Sequence, residues 1–206
     1  YELTEEERAV MNSLSASIIN SERLQTHIRY MFSHGSLYKR INGNLLFHGC
    51  IPMDENGEFL PVDIYGAKCA GRALMEHLDK QIRASYFTPE KIKKYGKAGD
   101  LMWYLWLAKD SPLFGKEKMT TFERLFIDDK ASHKEHVRPY YKLINSKEPC
   151  EKILREFGLD PSHSKILNGH VPVKIKNGES PIKGGGLLYV IDGGISKAYQ
   201  KQTGIA

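Results

Sequence analysis

Two histidines in this sequence share one local setting. His48 follows the apolar run Leu45-Leu46-Phe47 and precedes Gly49; His170 follows Ile166-Leu167-Asn168-Gly169. Each stands just past a strand-like run and beside a glycine. In α/β proteins the loops at the carboxyl ends of strands are where ligands bind. Glycine there lets the backbone approach a ligand closely. A neutral imidazole in such a loop is a good ligand for zinc, manganese or iron. A single histidine at a strand end is more often a hydrogen-bonded loop residue, so the residues alone leave both readings open. The other histidines, His27, His34, His77, His133, His136 and His163, fall on helical or polar stretches and read as solvated.

A hydrolase working with two metal ions needs more than two imidazoles. It needs a bridging carboxylate and further Asp, His or Asn ligands that hold the ions roughly 3.5–4 Å apart. No D-x-H, GDxxDR or GNH[DE] run occurs in these 206 residues. Candidate anion contacts come from Lys174, Lys176 and Lys183, which follow the second histidine. If Val173 to Lys176 is a strand, Lys174 and Lys176 project from the same face and one of them could hold a sugar phosphate. The competing reading is an edge strand guarded by solvated lysines. Asp192 reads as a turn former or as a group that orients an imidazole, Asp100 as a helix cap, and Trp103 and Trp106 as core.

The elements that must carry these residues are legible in part. Thr4 and Glu7 have the spacing of a capping box, and Val10, Met11, Leu14 and Ile18 follow at helical intervals. A second helix runs from Ser21 through Leu24, Ile28, Met31 and Phe32 to Gly35. Asn42-Gly43 predicts a turn into a buried strand at 45–47. Residues 59–65 read as extended, 72–86 as a helix with Leu74, Leu78, Ile82 and Tyr86 on one face. Thr88 and Pro89 read as the cap and first turn of a short helix. Residues 100–108 read as a buried helix, 111–121 as loop, 128–137 as a polar segment, and 150–157 as a helix closed by Gly158. The last part reads as all β, with strands at 165–167, 173–176 and 187–191 and a hairpin turn at Asn177-Gly178.

Bulk properties bound the function classes. The chain is 41% hydrophobic and 27% charged with a net charge of +5, an ordinary globular balance. Nucleic acid requires a continuous basic track, and the two short lysine clusters, at 91–97 and 174–183, fit a small phosphorylated ligand at least as well. No apolar run approaches the roughly 18 residues that span a bilayer. The three cysteines, Cys50, Cys69 and Cys150, are odd in number and widely spaced, which argues against a disulfide framework and for a reducing cytoplasm.

Gly43 through Pro52, which contains His48-Gly49, resembles the HGG-containing segment of calcineurin-like metallophosphoesterases, and Asn168-Gly169-His170-Val171-Pro172 resembles their later GH segment. Asp100-Leu101-Met102-Trp103 is similar to the D-L-L-W run of the phosphoprotein phosphatases. The runs 44–61, 111–122 and 168–205 are most similar to class III fructose-1,6-bisphosphatases, the type found in Firmicutes. The resemblance implies an α/β fold, the C-terminal part of a calcineurin-like sandwich with a largely helical insertion. It divides the chain into a helical entry with the first metal loop (1–65), a mostly helical insertion (66–160) and a β-rich part with the second metal loop (161–206). It implies hydrolysis of the C1 phosphate of fructose 1,6-bisphosphate in gluconeogenesis, with His48 and His170 as ligands of a two-metal manganese site. Lys118 falls near the phosphate-contacting arginine of the phosphoprotein phosphatases. The remaining ligands and the catalytic residues are expected upstream of Tyr1, and Pro172 replaces the second histidine of the GHxH pattern, as in phosphoprotein phosphatases. Nucleotide or phosphoenolpyruvate effectors and a homo-oligomer are further expectations. Two other readings stay open: a phosphatase of the same superfamily acting on phosphoproteins or nucleotides, and a non-catalytic anion-binding regulatory fragment.

Overall fold

The computed structural model describes residues 2–89, 98–192 and 197. Two compact units divide at residues 36 and 37. The first holds α1 (Glu5–Ile19) and α2 (Glu22–His34). The expected capping box is present: Thr4 Oγ1 accepts from the Glu7 N–H at 3.2 Å and the Glu7 carboxylate accepts from the Thr4 N–H at 2.8 Å. Ser21 caps α2, and Gly35 closes it. Neither helix buries a residue.

The second unit is mixed α/β. Its main sheet has the order β1-β2-β5-β7-β6, formed by β1 (Tyr38–Ile41), β2 (Asn44–Phe47), β5 (Ile166–Asn168), β6 (Ile182–Lys183) and β7 (Leu188–Val190). β2, β5 and β7 run parallel to one another, and an antiparallel strand flanks them on each side. A separate hairpin pairs β3 (Val62–Ile64) with β4 (Ala67–Cys69). Both hairpins turn on two residues at positive φ, Asn42-Gly43 and Tyr65-Gly66, the conformation that matches the twist of paired strands.

Helices fill the crossover from β2 to β5: α3 (Gly71–Phe87), α4 (Ala98–Leu107), α5 (Thr121–Phe126), α6 (Tyr140–Leu143) and α7 (Lys147–Glu156). Leu74, Met75 and Leu78 of α3 and Ile153 and Leu154 of α7 pack with Leu45, Ile166 and Leu188 of the sheet in one core, all at most 1% exposed. Each such side chain contributes about 1.5–3 kcal/mol of hydrophobic stabilisation. The register pairs Leu45 with Ile166 and Ile166 with Leu188, so these three form one row on the core face.

Several expectations are corrected. α4 is only half buried: Leu101 and Leu105, four residues apart, face the core, whereas Trp103 and Trp106 are 59% and 56% exposed and meet edge to face at 5.1 Å. Residues 173–176 form no strand. Ile175–Asn177 is a single 3-10 turn closed by Gly178 in the left-handed region, so Asn177-Gly178 ends a turn instead of making a hairpin. A second 3-10 turn spans Gly184–Gly186, and the last part is therefore not all β. His77 is not solvated, because its Nε2 is buried without a hydrogen-bond partner. The short helix expected after Pro89 lies outside the described residues. No helix among the described residues is long and apolar enough to cross a membrane.

Candidate metal-ligand pair at the carboxyl ends of the parallel strands

Because β2, β5 and β7 are parallel neighbours, their carboxyl ends open on the same side of the sheet. Phe47 passes into His48, Asn168 into Gly169-His170, and Val190 into Ile191-Asp192. The ladder continues one step past the strands: the Gly169 N–H donates to the His48 carbonyl at 2.8 Å, and the Ile191 N–H to the Asn168 carbonyl at 2.8 Å. Sequence positions 122 apart are thus brought together, and His48 Nε2 lies 3.1 Å from His170 Nδ1. The rings meet edge to face with centroids 4.9 Å apart.

That separation suits a shared ion. Two nitrogens each about 2.1 Å from one metal and at right angles are about 3.0 Å apart. The same distance serves an N–H···N bond between neutral imidazoles. His48 is exposed and His170 half-buried. Burial, and secondly the neighbouring His48, hold the His170 pKa below the usual imidazole value, which keeps the ring neutral and ligand-competent near pH 7. Its Nε2 is buried without a hydrogen-bond partner. His170 also carries φ +68° and sits at the centre of a three-residue turn, with the Val171 N–H donating to the Gly169 carbonyl at 2.9 Å. A non-glycine residue in such a turn is strained, and strain of this kind collects at functional sites.

The loop at 111–115 backs this pair. The Cys50 N–H donates to the Pro112 carbonyl at 2.9 Å, and a Cβ on Gly49 would overlap that same carbonyl oxygen. The Phe114 ring lies 6.4 Å from the His170 ring. Ser111 is fully buried, and its Oγ donates to the Leu105 carbonyl at 2.7 Å, which anchors the loop to α4. Arg138 and Asp110 pair at 3.0 Å behind it.

The two histidines are the sequence-selected residues that the fold unites. Asp192 lies beside them: a Cβ on Gly169 would sit 3.3 Å from the Asp192 Cβ. Among the described residues, no group of three or more His, Cys, Asp and Glu side chains is placed to hold an ion. The candidate lysines sit in three different settings. The Lys118 ammonium donates to the Ser132 carbonyl at 3.0 Å. Lys174 and Lys176 are exposed on and beside the 3-10 turn. Lys183, on the edge strand β6, is paired with Glu179 at 2.6 Å. The lysine whose charge bears on His170 is Lys116, two residues past Phe114 and held by Glu135 at 2.8 Å. Its pairing with Glu135 spans 19 residues and leaves no local signal. Asn168 left one: it is the polar residue closing an apolar strand.

The chain matches, over residues 1–206, the family described as Firmicute fructose-1,6-bisphosphatase. It is 56% identical to a fructose-1,6-bisphosphatase class 3 of Clostridium botulinum strain Alaska E43, covering 100% of this chain and 31% of that protein. The class 3 enzymes of Clostridium acetobutylicum and Fusobacterium nucleatum are 55% and 51% identical, again over 100% of this chain and 31% and 32% of theirs. The chain therefore spans about a third of the length of these relatives. No solved structure matches it. On its sequence and over its whole length, the chain belongs to the Firmicute fructose-1,6-bisphosphatase family.

Proposed function

We propose that this chain is a part of a metal-dependent phosphatase that removes the C1 phosphate of fructose 1,6-bisphosphate, and that it supplies two imidazole ligands, His48 and His170, to the metal centre. The 3.1 Å approach of their nitrogens carries this reading together with the family membership. The parallel strand ends that present them support a calcineurin-like sandwich as the parent fold. A divalent ion, manganese in this reading, supplies Lewis acidity and a nucleophile drawn from water at neutral pH.

The chain's own residues then have separable tasks. His48 and His170 would hold the ion through their ring nitrogens. The turn at His170 and the bond from Gly169 to His48 fix the spacing of the rings. Phe114 and the buried loop behind it cover the His170 ring on one side and limit the access of water. Lys116, two residues past Phe114 and paired with Glu135 at 2.8 Å, would offer a phosphoryl group a point-charge contact from within that ion pair, without the geometric fork of an arginine. The other ligands come from chain that the longer relatives possess beyond the matched third.

The test is a phosphatase assay on the intact protein with manganese, using fructose 1,6-bisphosphate, a phosphopeptide and a nucleotide as substrates. Preferred turnover of the bisphosphate, lost in His48→Ala and in His170→Ala, is the expected result. Preference for the phosphopeptide or nucleotide would move the protein to the other phosphatase reading. The 206-residue chain alone is expected to be inactive, and robust turnover by it would contradict the division of ligands proposed here.

A further inference from the structure

At the level where the parallel strands end, the core face carries Phe47, Asn168 and Val190. Asn168 is 1% exposed, and its register partner on β7 is Val190. A carboxamide in that apolar row is costly unless its hydrogen bonds are made. Its Nδ2 makes two: it donates to the Gly49 carbonyl at 3.0 Å and to the Tyr140 hydroxyl oxygen at 2.9 Å. Gly49 directly follows His48. Tyr140 is 0% exposed in α6, under the sheet. The Asn168 Oδ1 stays buried without a partner. An apolar residue would avoid that penalty, which is on the order of 1–3 kcal/mol, so packing alone gives no reason for asparagine here.

One Nδ2 bond reaches the loop that presents His48, and the other reaches the buried Tyr140 hydroxyl. Through its side chain Asn168 holds the loop that presents His48. Through its own backbone it leads, two residues on, to His170, while its carbonyl is fixed by the Ile191 N–H. We infer that Asn168 is a positioning residue: its carboxamide locks the His48 loop to the buried Tyr140 hydroxyl and so sets the separation at which His48 and His170 face one divalent cation. Partners one step behind metal ligands orient the ligands and tune affinity, and removing one typically weakens binding roughly 10–100-fold. This inference rests on the metal reading above.

The experiment compares wild type, Asn168→Ala, Asn168→Asp and Tyr140→Phe in the intact protein, with 15N-labelled histidine. Affinity for Mn2+ is read from the EPR signal of the free ion, and the number of coordinated imidazoles from pulsed-EPR nitrogen couplings. The wild type is expected to show two imidazole couplings. Asn168→Ala is expected to bind 10–100-fold more weakly and to lose one coupling, a signature that general destabilisation does not produce. Asn168→Asp keeps the shape but replaces both donors by acceptors, and is expected to behave like the alanine variant. Tyr140→Phe removes one of the two bonds and keeps the ring; a several-fold loss of affinity is expected, and this variant decides the matter if Asn168→Ala does not fold. A wild type whose bound Mn2+ shows no imidazole coupling overturns the metal reading and this inference with it. Two couplings in the wild type, with affinity and coupling number unchanged in the variants, overturn the inference alone.

Discussion

The backbone N–H of Gly169 donates to the His48 carbonyl oxygen at 2.8 Å. The two imidazole-bearing loops are therefore one hydrogen-bonded unit, and their rings should act as one unit as well. Residues that act together show non-additive losses when removed. His48→Ala, His170→Ala and the double variant should all weaken Mn2+ binding by a similar factor, more than about 100-fold, since even partners behind the ligands are worth 10–100-fold. Titration calorimetry on the three variants checks this. Losses that multiply would mean that the two loops act independently and not as one unit.

Gly49 has no room for a side chain, because its Cβ would overlap the Pro112 carbonyl oxygen, a backbone atom that cannot turn aside. Gly49→Ala should therefore break the bond from the Cys50 N–H to Pro112 and destabilise the unit by about 2–4 kcal/mol, the range of overpacking and lost buried bonds. Gly169→Ala is tight against the Asp192 Cβ at 3.3 Å and makes ordinary contact with the His48 carbonyl oxygen at 3.7 Å, so it should cost less. Denaturant midpoints of the two variants, compared with wild type, read the difference.

Lys116 and Lys118 stand two residues apart but are held differently. Lys118 is pinned to the Ser132 carbonyl, and its removal should leave the kinetics within about twofold, as for surface contacts away from a site. Lys116 stands two residues past Phe114, whose ring lies 6.4 Å from that of His170, and in the intact protein Lys116→Met should lower kcat/KM by about tenfold or more, the equivalent of one charge-assisted contact. Steady-state kinetics on fructose 1,6-bisphosphate decide between them. Equal effects would remove Lys116 from the site.

Glu135 gives a pH test. Burial acts to raise its pKa, but hydrogen bonds from Lys116 and from the Thr120 side chain and backbone overcome this and bring it down to about 2 from 4.5. A depressed carboxylate stabilises the fold above its unfolded pKa, and the stabilisation disappears as pH falls through the folded value. The contribution at neutral pH is about 1–2 kcal/mol once solvent screening is allowed. Glu135→Gln should be less stable than wild type at pH 7, and the gap should close between roughly pH 4.5 and pH 2. Thermal unfolding across that window shows it. A gap that persists at pH 2 would assign the loss to packing and not to charge.

How much of this was legible without coordinates varies by element, and the reason is locality. The Thr4 capping box and the helix end at Gly35 depend on residues within a turn of one another, and each reads correctly. So do the apolar runs of β2, β5 and β7. The same logic failed at α4, because ten consecutive mostly apolar residues carry no polar face to say which side turns inward. Leu101 and Leu105 took the core and left both tryptophans in solvent. It failed again at Lys174 and Lys176. Alternating lysines suggest a strand, but the segment finds no ladder partner and closes into a 3-10 turn. Asn-Gly likewise makes a hairpin at 42–43, where strands flank it, and merely ends a turn at 177–178.

For the site, the amino-acid sequence alone determined the chemistry on offer: two imidazoles, each after an apolar strand and beside a glycine, because side-chain type and strand propensity are local properties. Their meeting at 3.1 Å and the clamp of Asn168 onto Tyr140 and Gly49 were decided only by tertiary structure. Each depends on the parallel register of β2 against β5 across more than a hundred residues. That register is set by hydrogen bonds and core packing between segments whose sequences carry no mark of their partner.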